Sequence, residues 1–161
     1  MKKRIIALGL LWCLSAVMLQ AARVDTVLVR SAAMNKDVKV VYVLPDKAIG
    51  KQACPVVYLL HGYGGNARSW VQLKPELPQM ADEKGIIFVC PDGKNSWYWD
   101  SPENPAYRYE TFVTSELVKY TDGNYATIPD RKARAISGLS MGGHGALWSA
   151  IRHKDVFGAA G

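Results

Sequence analysis

The chain has 161 residues, enough for one domain with a real core, and an ordinary globular composition of 49% hydrophobic and 21% charged residues. Its formal charge of +6 does not describe a nucleic-acid surface, because Lys2, Lys3 and Arg4 supply half of it. The other basic residues are scattered (Lys36, Lys39, Lys47, Lys51, Lys74, Lys84), apart from a small group at Arg131, Lys132 and Arg134, and lack interleaved aromatics.

Residues 1–22 read as a secretory signal: a basic start, an apolar run from Ile5 to Leu19, then Gln20-Ala21-Ala22 for cleavage. The run is short for a membrane span, so an uncleaved anchor is the lesser alternative. The expectation is a mature chain from residue 23, secreted or periplasmic, with no stable membrane association after cleavage. Export permits disulfides, and Cys54 and Cys90 remain. Cys54 begins one predicted strand and Cys90 ends the next, so parallel neighbours would hold them at opposite ends, too far apart to bridge. Both are expected to be free and buried.

Val24–Arg30 and Val38–Leu44 are β-branched runs that fit an antiparallel edge pair. Pro55–Leu60 is continuously apolar, the pattern of a strand buried on both faces, and leads into His61-Gly62-Tyr63-Gly64-Gly65. A Gly-rich turn at such a strand end leaves backbone N–H groups at the sheet edge where ligands sit in open α/β folds. A helical stretch over Val71–Lys84 must break or restart at Pro75 and Pro78, and Gly85 caps it before a strand at Ile86–Cys90. Residues 94–105 form a polar and aromatic loop. Trp97, Tyr98 and Trp99 are consecutive and cannot all face one core, so they are expected to wall a substrate site; local packing over the sheet is the alternative. Tyr109–Tyr120 has helical spacing, ended by Gly123.

Arg131–Ser137 reads as a strand and His144–His153 as a helix, with Gly138-Leu139-Ser140-Met141-Gly142 between them. Strand, Gly-x-Ser-x-Gly, helix is the context of a nucleophile elbow, in which the glycines admit close backbones and the serine is held strained and exposed. The following helix aims its N-terminal N–H groups at the place where an oxyanion develops. Ser140 is thus the expected nucleophile. The oxyanion donors are the N–H of Met141 and one from the Gly-rich turn, Tyr63 or Gly64. Val156–Gly161 reads as the opening of a further strand.

Tyr58–Gly65, Asn95–Tyr98 with Asp100–Pro102, Glu116-Leu117, and Ile136–Leu147 together resemble the α/β-hydrolase superfamily. The closest likeness within it is to the esterase family of esterase D (S-formylglutathione hydrolase), feruloyl and acetyl-xylan esterases and mycolyltransferases. The resemblance implies an α/β-hydrolase fold of order β-β-β-α-β-α-β-α, with a mostly parallel sheet, N-terminal antiparallel strands and an end after the elbow helix. It implies ester hydrolysis through an acyl-serine at Ser140, with Met141 and Tyr63 as oxyanion donors and no metal or cofactor. The implied partner is a small ester or an acylated carbohydrate, such as an acetyl or feruloyl ester.

In this superfamily the acid and the histidine follow the serine in the chain. Only Asp155 is a carboxylate after Ser140, and it falls at the end of the elbow helix. His61 belongs to the oxyanion loop, His144 lies one turn beyond Ser140 and points away, and His153 complements a helix C-terminus. The expectation is therefore the N-terminal part of a secreted serine esterase, inactive or nearly so and marginally folded with an open strand edge. An acyltransferase of the same fold, or a non-catalytic carbohydrate-binding protein using Trp97–Trp99, are the alternatives.

Overall fold

The computed structural model describes residues 22–161; the signal expected over residues 1–22 lies, but for Ala22, outside them. β1 (Arg23–Ser31) and β2 (Lys36–Leu44) form an antiparallel hairpin in register from Arg23↔Leu44 to Ser31↔Lys36. β2 then pairs antiparallel with β4 (Ile87–Pro91). β3 (Val56–Leu60), β5 (Arg134–Gly138) and β6 (Ala159–Ala160) continue the sheet in parallel, in the order β1-β2-β4-β3-β5-β6. This is the mixed α/β sheet expected from the sequence.

Alternation along the strands divides the core into two layers. Val40 and Tyr42 on β2, Val56, Tyr58 and Leu60 on β3, and Ile136 on β5 face one side. There they pack against α4 (Tyr109–Thr111), the wide turn at Phe112–Glu116, α5 (Leu117–Asn124) and α6 (Met141–Arg152). Val41, Val43, Leu59, Phe88 and Cys90 face the other side, against α2 (Ser69–Leu73) and α3 (Leu77–Lys84). A single turn, α1 (Asp46–Ile49), follows β2. The sheet is thus covered on both faces, and the ends of β3, β4 and β5 converge at one edge.

Local details differ from the sequence expectation. The proline-broken helix restarts at Leu77 after Lys74–Glu76. Gly123 does not end its helix: the run continues to Asn124, whose side-chain amide donates to Tyr120 O (2.8 Å) while Tyr125 N–H donates to Thr121 O (3.0 Å). Arg131–Ala133 is a 3₁₀ turn rather than strand, because Asp130 Oδ1 accepts Lys132 N–H at 2.7 Å and curls the chain. Glu116 sits at the end of a π-helical turn that hydropathy spacing does not reveal. It accepts Ser31 Oγ–H at 2.6 Å and Ala33 N–H at 2.8 Å, tying this layer to the first hairpin.

Cys54 and Cys90 are both free and buried. Burial raises both thiols, Cys90 to about 12. The basic group near β5 is structural in part. Arg134 bridges Asp122 (2.7 Å) and donates to Val156 O (2.9 Å), and Arg131 donates to Lys154 O and Phe157 O. These bonds carry the chain from α6 back to β6. Among the described residues, no helix is long and apolar enough to cross a membrane.

Candidate active site

The elbow joins the end of β5 to the start of α6. Ser140 caps α6 with φ 55° and ψ −115°, a conformation that L-residues avoid, and it is exposed. A Cβ on Gly138 would overlap the Gly142 backbone, and one on Gly142 would overlap Leu60 O. Both positions therefore require glycine, and their close approach seats α6 directly on the end of β3. Leu139 N–H donates to Leu60 O (3.2 Å) and Gly142 N–H to Leu139 O (2.9 Å), which closes the turn. Met141 follows at the first helical position, where N–H groups have no carbonyl one turn back within the helix. Its own side chain is fully buried in the core layer under α6.

The Gly-rich turn lies alongside. A Cβ on Gly62 would stand 3.3 Å from Leu139 O and 3.7 Å from Ser140 Cβ, so the two loops are in van der Waals contact. Tyr63 N–H has no hydrogen-bond partner among the described residues. Gly64, the other expected oxyanion donor, is corrected: its N–H is already spent on Asn95 Oδ1 at 2.8 Å. Asn95 thus locks the loop from the segment after β4, a role with no signal in local sequence.

His61 is buried, and both of its ring nitrogens are occupied. Gly93 N–H donates to Nε2 at 2.9 Å, so Nε2 is the acceptor and Nδ1 carries the proton, which it donates to Gly62 O at 2.7 Å. This side chain braces the strand ends and is not free to take a proton from Ser140. Beside it, burial opposes the charge of Asp92. The donors around it, with Lys94 Nζ at 2.8 Å and Lys94 N–H at 3.0 Å, outweigh burial and hold its carboxyl far below the usual range.

The aromatic loop is divided by burial. Trp97 and Tyr98 both have positive φ (55° and 59°), so the loop is tightly wound there and its three aromatics differ in burial. Trp97 and Trp99 stand about half exposed. Tyr98 is a correction to the expected substrate wall: it is fully buried, its hydroxyl donates to His61 O (3.2 Å), and it presents no surface to a ligand. His144 is engaged by the aromatic loop and its own helix. Its Nδ1 is 3.1 Å from Trp97 O, and its ring stacks on Trp148 and meets Trp97 and Trp99 edge-on. Asp100 closes the loop by accepting Thr111 N–H (3.0 Å) and Thr111 Oγ1–H (2.6 Å).

His153 does more than complement the end of α6. Its Nε2 lies 2.8 Å from Glu110 Oε1, and Arg152 Nε (2.8 Å) and Trp148 Nε1 (2.7 Å) donate to the same carboxylate. Burial raises Glu110, but these three partners outweigh it and hold the carboxyl below its ordinary range. None of the three histidines makes a recorded hydrogen bond to the Ser140 side chain, and His61 has both ring nitrogens bonded elsewhere. No three His, Cys, Asp or Glu side chains converge as a metal-binding set among the described residues.

The family model described as "Putative esterase" matches residues 31–161. The acetyl esterase of Caldicellulosiruptor saccharolyticus is 28% identical over 135 residues, which cover 79% of this chain and 50% of that protein. The diacylglycerol acyltransferase/mycolyltransferase Ag85A of Mycobacterium gordonae is 33% identical over 148 residues, covering 86% of this chain and 41% of that one. A solved ferulic acid esterase superposes with a TM-score of 0.75 at 30% identity, over 88% of this chain and 59% of its own. The chain spans about half the length of the curated relatives it matches.

Proposed function

This chain belongs to that esterase family, and on this premise we propose that it is the nucleophile-bearing part of a serine carboxylic-ester hydrolase acting through Ser140. The observation that carries the reading is the backbone of Ser140, strained at φ 55° on the apex of a glycine-flanked turn and pointed at the start of a twelve-residue helix. Folds keep such strain where it serves chemistry.

In the proposed reaction Ser140 Oγ attacks the ester carbonyl and loses its proton to a base. The carbonyl oxygen takes the negative charge and is held by the N–H groups of Met141 and Tyr63. Collapse of this intermediate breaks the bond to the alkoxy group, which leaves protonated as the alcohol. Water then repeats the attack on the acyl-serine, releasing the carboxylic acid and restoring Ser140.

The base is the missing part. His61 has both ring nitrogens bonded, His144 bonds Trp97 O through Nδ1 and His153 bonds Glu110 through Nε2, so these 161 residues by themselves are expected to turn over esters several orders of magnitude below a complete triad. Similarity to an acetyl esterase and a ferulic acid esterase favours acetyl and feruloyl esters as the substrate class, and the family resemblance of the sequence favours a carbohydrate as the alcohol. The signal-like start supports placement outside the cytoplasm. The acyltransferase relative favours a second outcome, in which a sugar hydroxyl replaces water at the acyl-serine. Hydrolysis of p-nitrophenyl acetate, compared between the chain and Ser140→Ala, tests the nucleophile. A difference between them supports Ser140, and equal rates well above the buffer rate would place the chemistry elsewhere. Acceptor-dependent product formation separates transferase from hydrolase.

A further inference from the structure

Beside the elbow lies an open hollow of about 400 Å³ that the proposed chemistry does not use. Its floor is Gly62 and Gly65, and its walls are Tyr63, Leu73 and Leu139, with Gln72 and Ser69 at the rim. Single exposed apolar side chains are common on protein surfaces, but here Tyr63, Leu73 and Leu139, at 68%, 63% and 51% exposure, border one depression. None of the aromatic-loop residues lines it.

The hollow is held in place. Trp70 Nε1 donates to Leu60 O at 3.0 Å and pins α2 to the end of β3. Ser69, Gln72 and Leu73 then share one face of that helix at i, i+3 and i+4. Leu139 is the residue before the nucleophile, and Tyr63 carries the free N–H of the oxyanion loop. An ester whose carbonyl oxygen sits between Tyr63 N–H and Met141 N–H therefore lies next to this surface, which Tyr63 and Leu139 border.

We propose that the Tyr63–Leu73–Leu139 hollow is a specificity subsite for an aliphatic arm of the ester. No charged side chain lines it, two of its side chains are leucines, and the Ser69 hydroxyl already accepts Asn66 N–H at 2.8 Å. The volume exceeds what an acetyl group fills. The inference rests on the acyl-serine reading for the position of the carbonyl, but its test does not require turnover.

Ser140→Ala prevents acyl-enzyme formation and permits equilibrium titration with ethyl acetate, ethyl hexanoate and hexyl acetate, followed through the amide resonances of Tyr63, Leu73 and Leu139. Four added methylenes, each partly buried on an open surface, are expected to tighten binding about tenfold over ethyl acetate. Ethyl hexanoate gaining that factor assigns the hollow to the acyl arm, and hexyl acetate gaining it assigns the alkoxy arm. The double change Leu73→Gln with Leu139→Gln should cut the gain to about twofold. Both side chains are exposed, so the urea midpoint should stay in place and show that the fold survives. Equal binding of all three esters, or shifts centred on the Trp97 and Trp99 indoles, would overturn the subsite. Equal hydrolysis of p-nitrophenyl acetate by the unmutated chain and Ser140→Ala, well above the buffer rate, would instead count against the catalytic reading alone.

Discussion

The ring of His61 receives the backbone N–H of Gly93 on Nε2 and returns a proton from Nδ1 to Gly62 O, so one side chain joins the ends of β3 and β4. A histidine committed in this way is a brace. His61→Ala should therefore lower stability by about 2–3 kcal/mol, the cost of leaving a buried donor and acceptor unpaired. Urea denaturation measures this. A variant that lost Ser140-dependent turnover with its urea midpoint unmoved would show that His61 acts as a base instead.

Ser140 predicts the opposite sign. Glycine tolerates positive φ, so Ser140→Gly should relieve strain and raise stability by about 1 kcal/mol while abolishing any turnover. The urea midpoint and the p-nitrophenyl acetate rate, taken on the same preparation, report both effects. A destabilised Ser140→Gly would mean that the serine side chain holds the elbow together.

The neighbouring glycines allow no such freedom. Gly142→Ala places a methyl against Leu60 O and Gly138→Ala places one against the Gly142 backbone, and backbone cannot step aside as a side chain can. Each should cost at least about 3 kcal/mol, seen as loss of cooperative unfolding or of soluble expression. Gly123→Ala is the control, since a Cβ there meets nothing within 4 Å. In the last turn of α5 it should be neutral or stabilise slightly, by up to about 0.5 kcal/mol.

Glu110 carries a pH dependence. Its folded carboxyl lies below the ordinary value, so its contribution is fully present above the unfolded pKa and is lost as pH falls through the folded one. Stability should drop on acidification through and below the usual carboxylate range. Glu110→Gln should flatten that part of the profile and cost about 2–3 kcal/mol near neutral pH, because Arg152, His153 and the Trp148 indole then face one neutral amide oxygen and an NH2 instead of two charged oxygens. Chemical denaturation between pH 3 and 7 measures both. Asp92, depressed in the same direction, continues to contribute in Glu110→Gln.

Cys54 and Cys90 should both resist a disulfide-exchange reagent such as 5,5′-dithiobis(2-nitrobenzoate) while the chain is folded, since burial hides the sulfurs and raises the thiols. Both should react in denaturant. Rapid reaction of Cys90 in the folded state would mean that the layer between β4 and α3 opens readily.

Sequence alone was enough, to within one residue at each end, for the buried runs that form β3 and β4, for the hairpin of β1 and β2, and for the elbow around Ser140. Each of these is written in consecutive residues: an apolar run marks a doubly covered strand, and glycines two residues either side of a serine mark a turn that admits no side chains. The tertiary structure decided which groups were free. Gly64 looks as available as Tyr63 until Asn95, 31 residues on, takes its N–H. Tyr98 reads like its tryptophan neighbours until the tightly wound loop buries it. Glu110 is an ordinary helical glutamate in sequence, yet it gathers partners 38 to 43 residues away. Hydrogen-bond occupancy and burial depend on residues brought together only when the sheet closes, and local pattern carries no record of that.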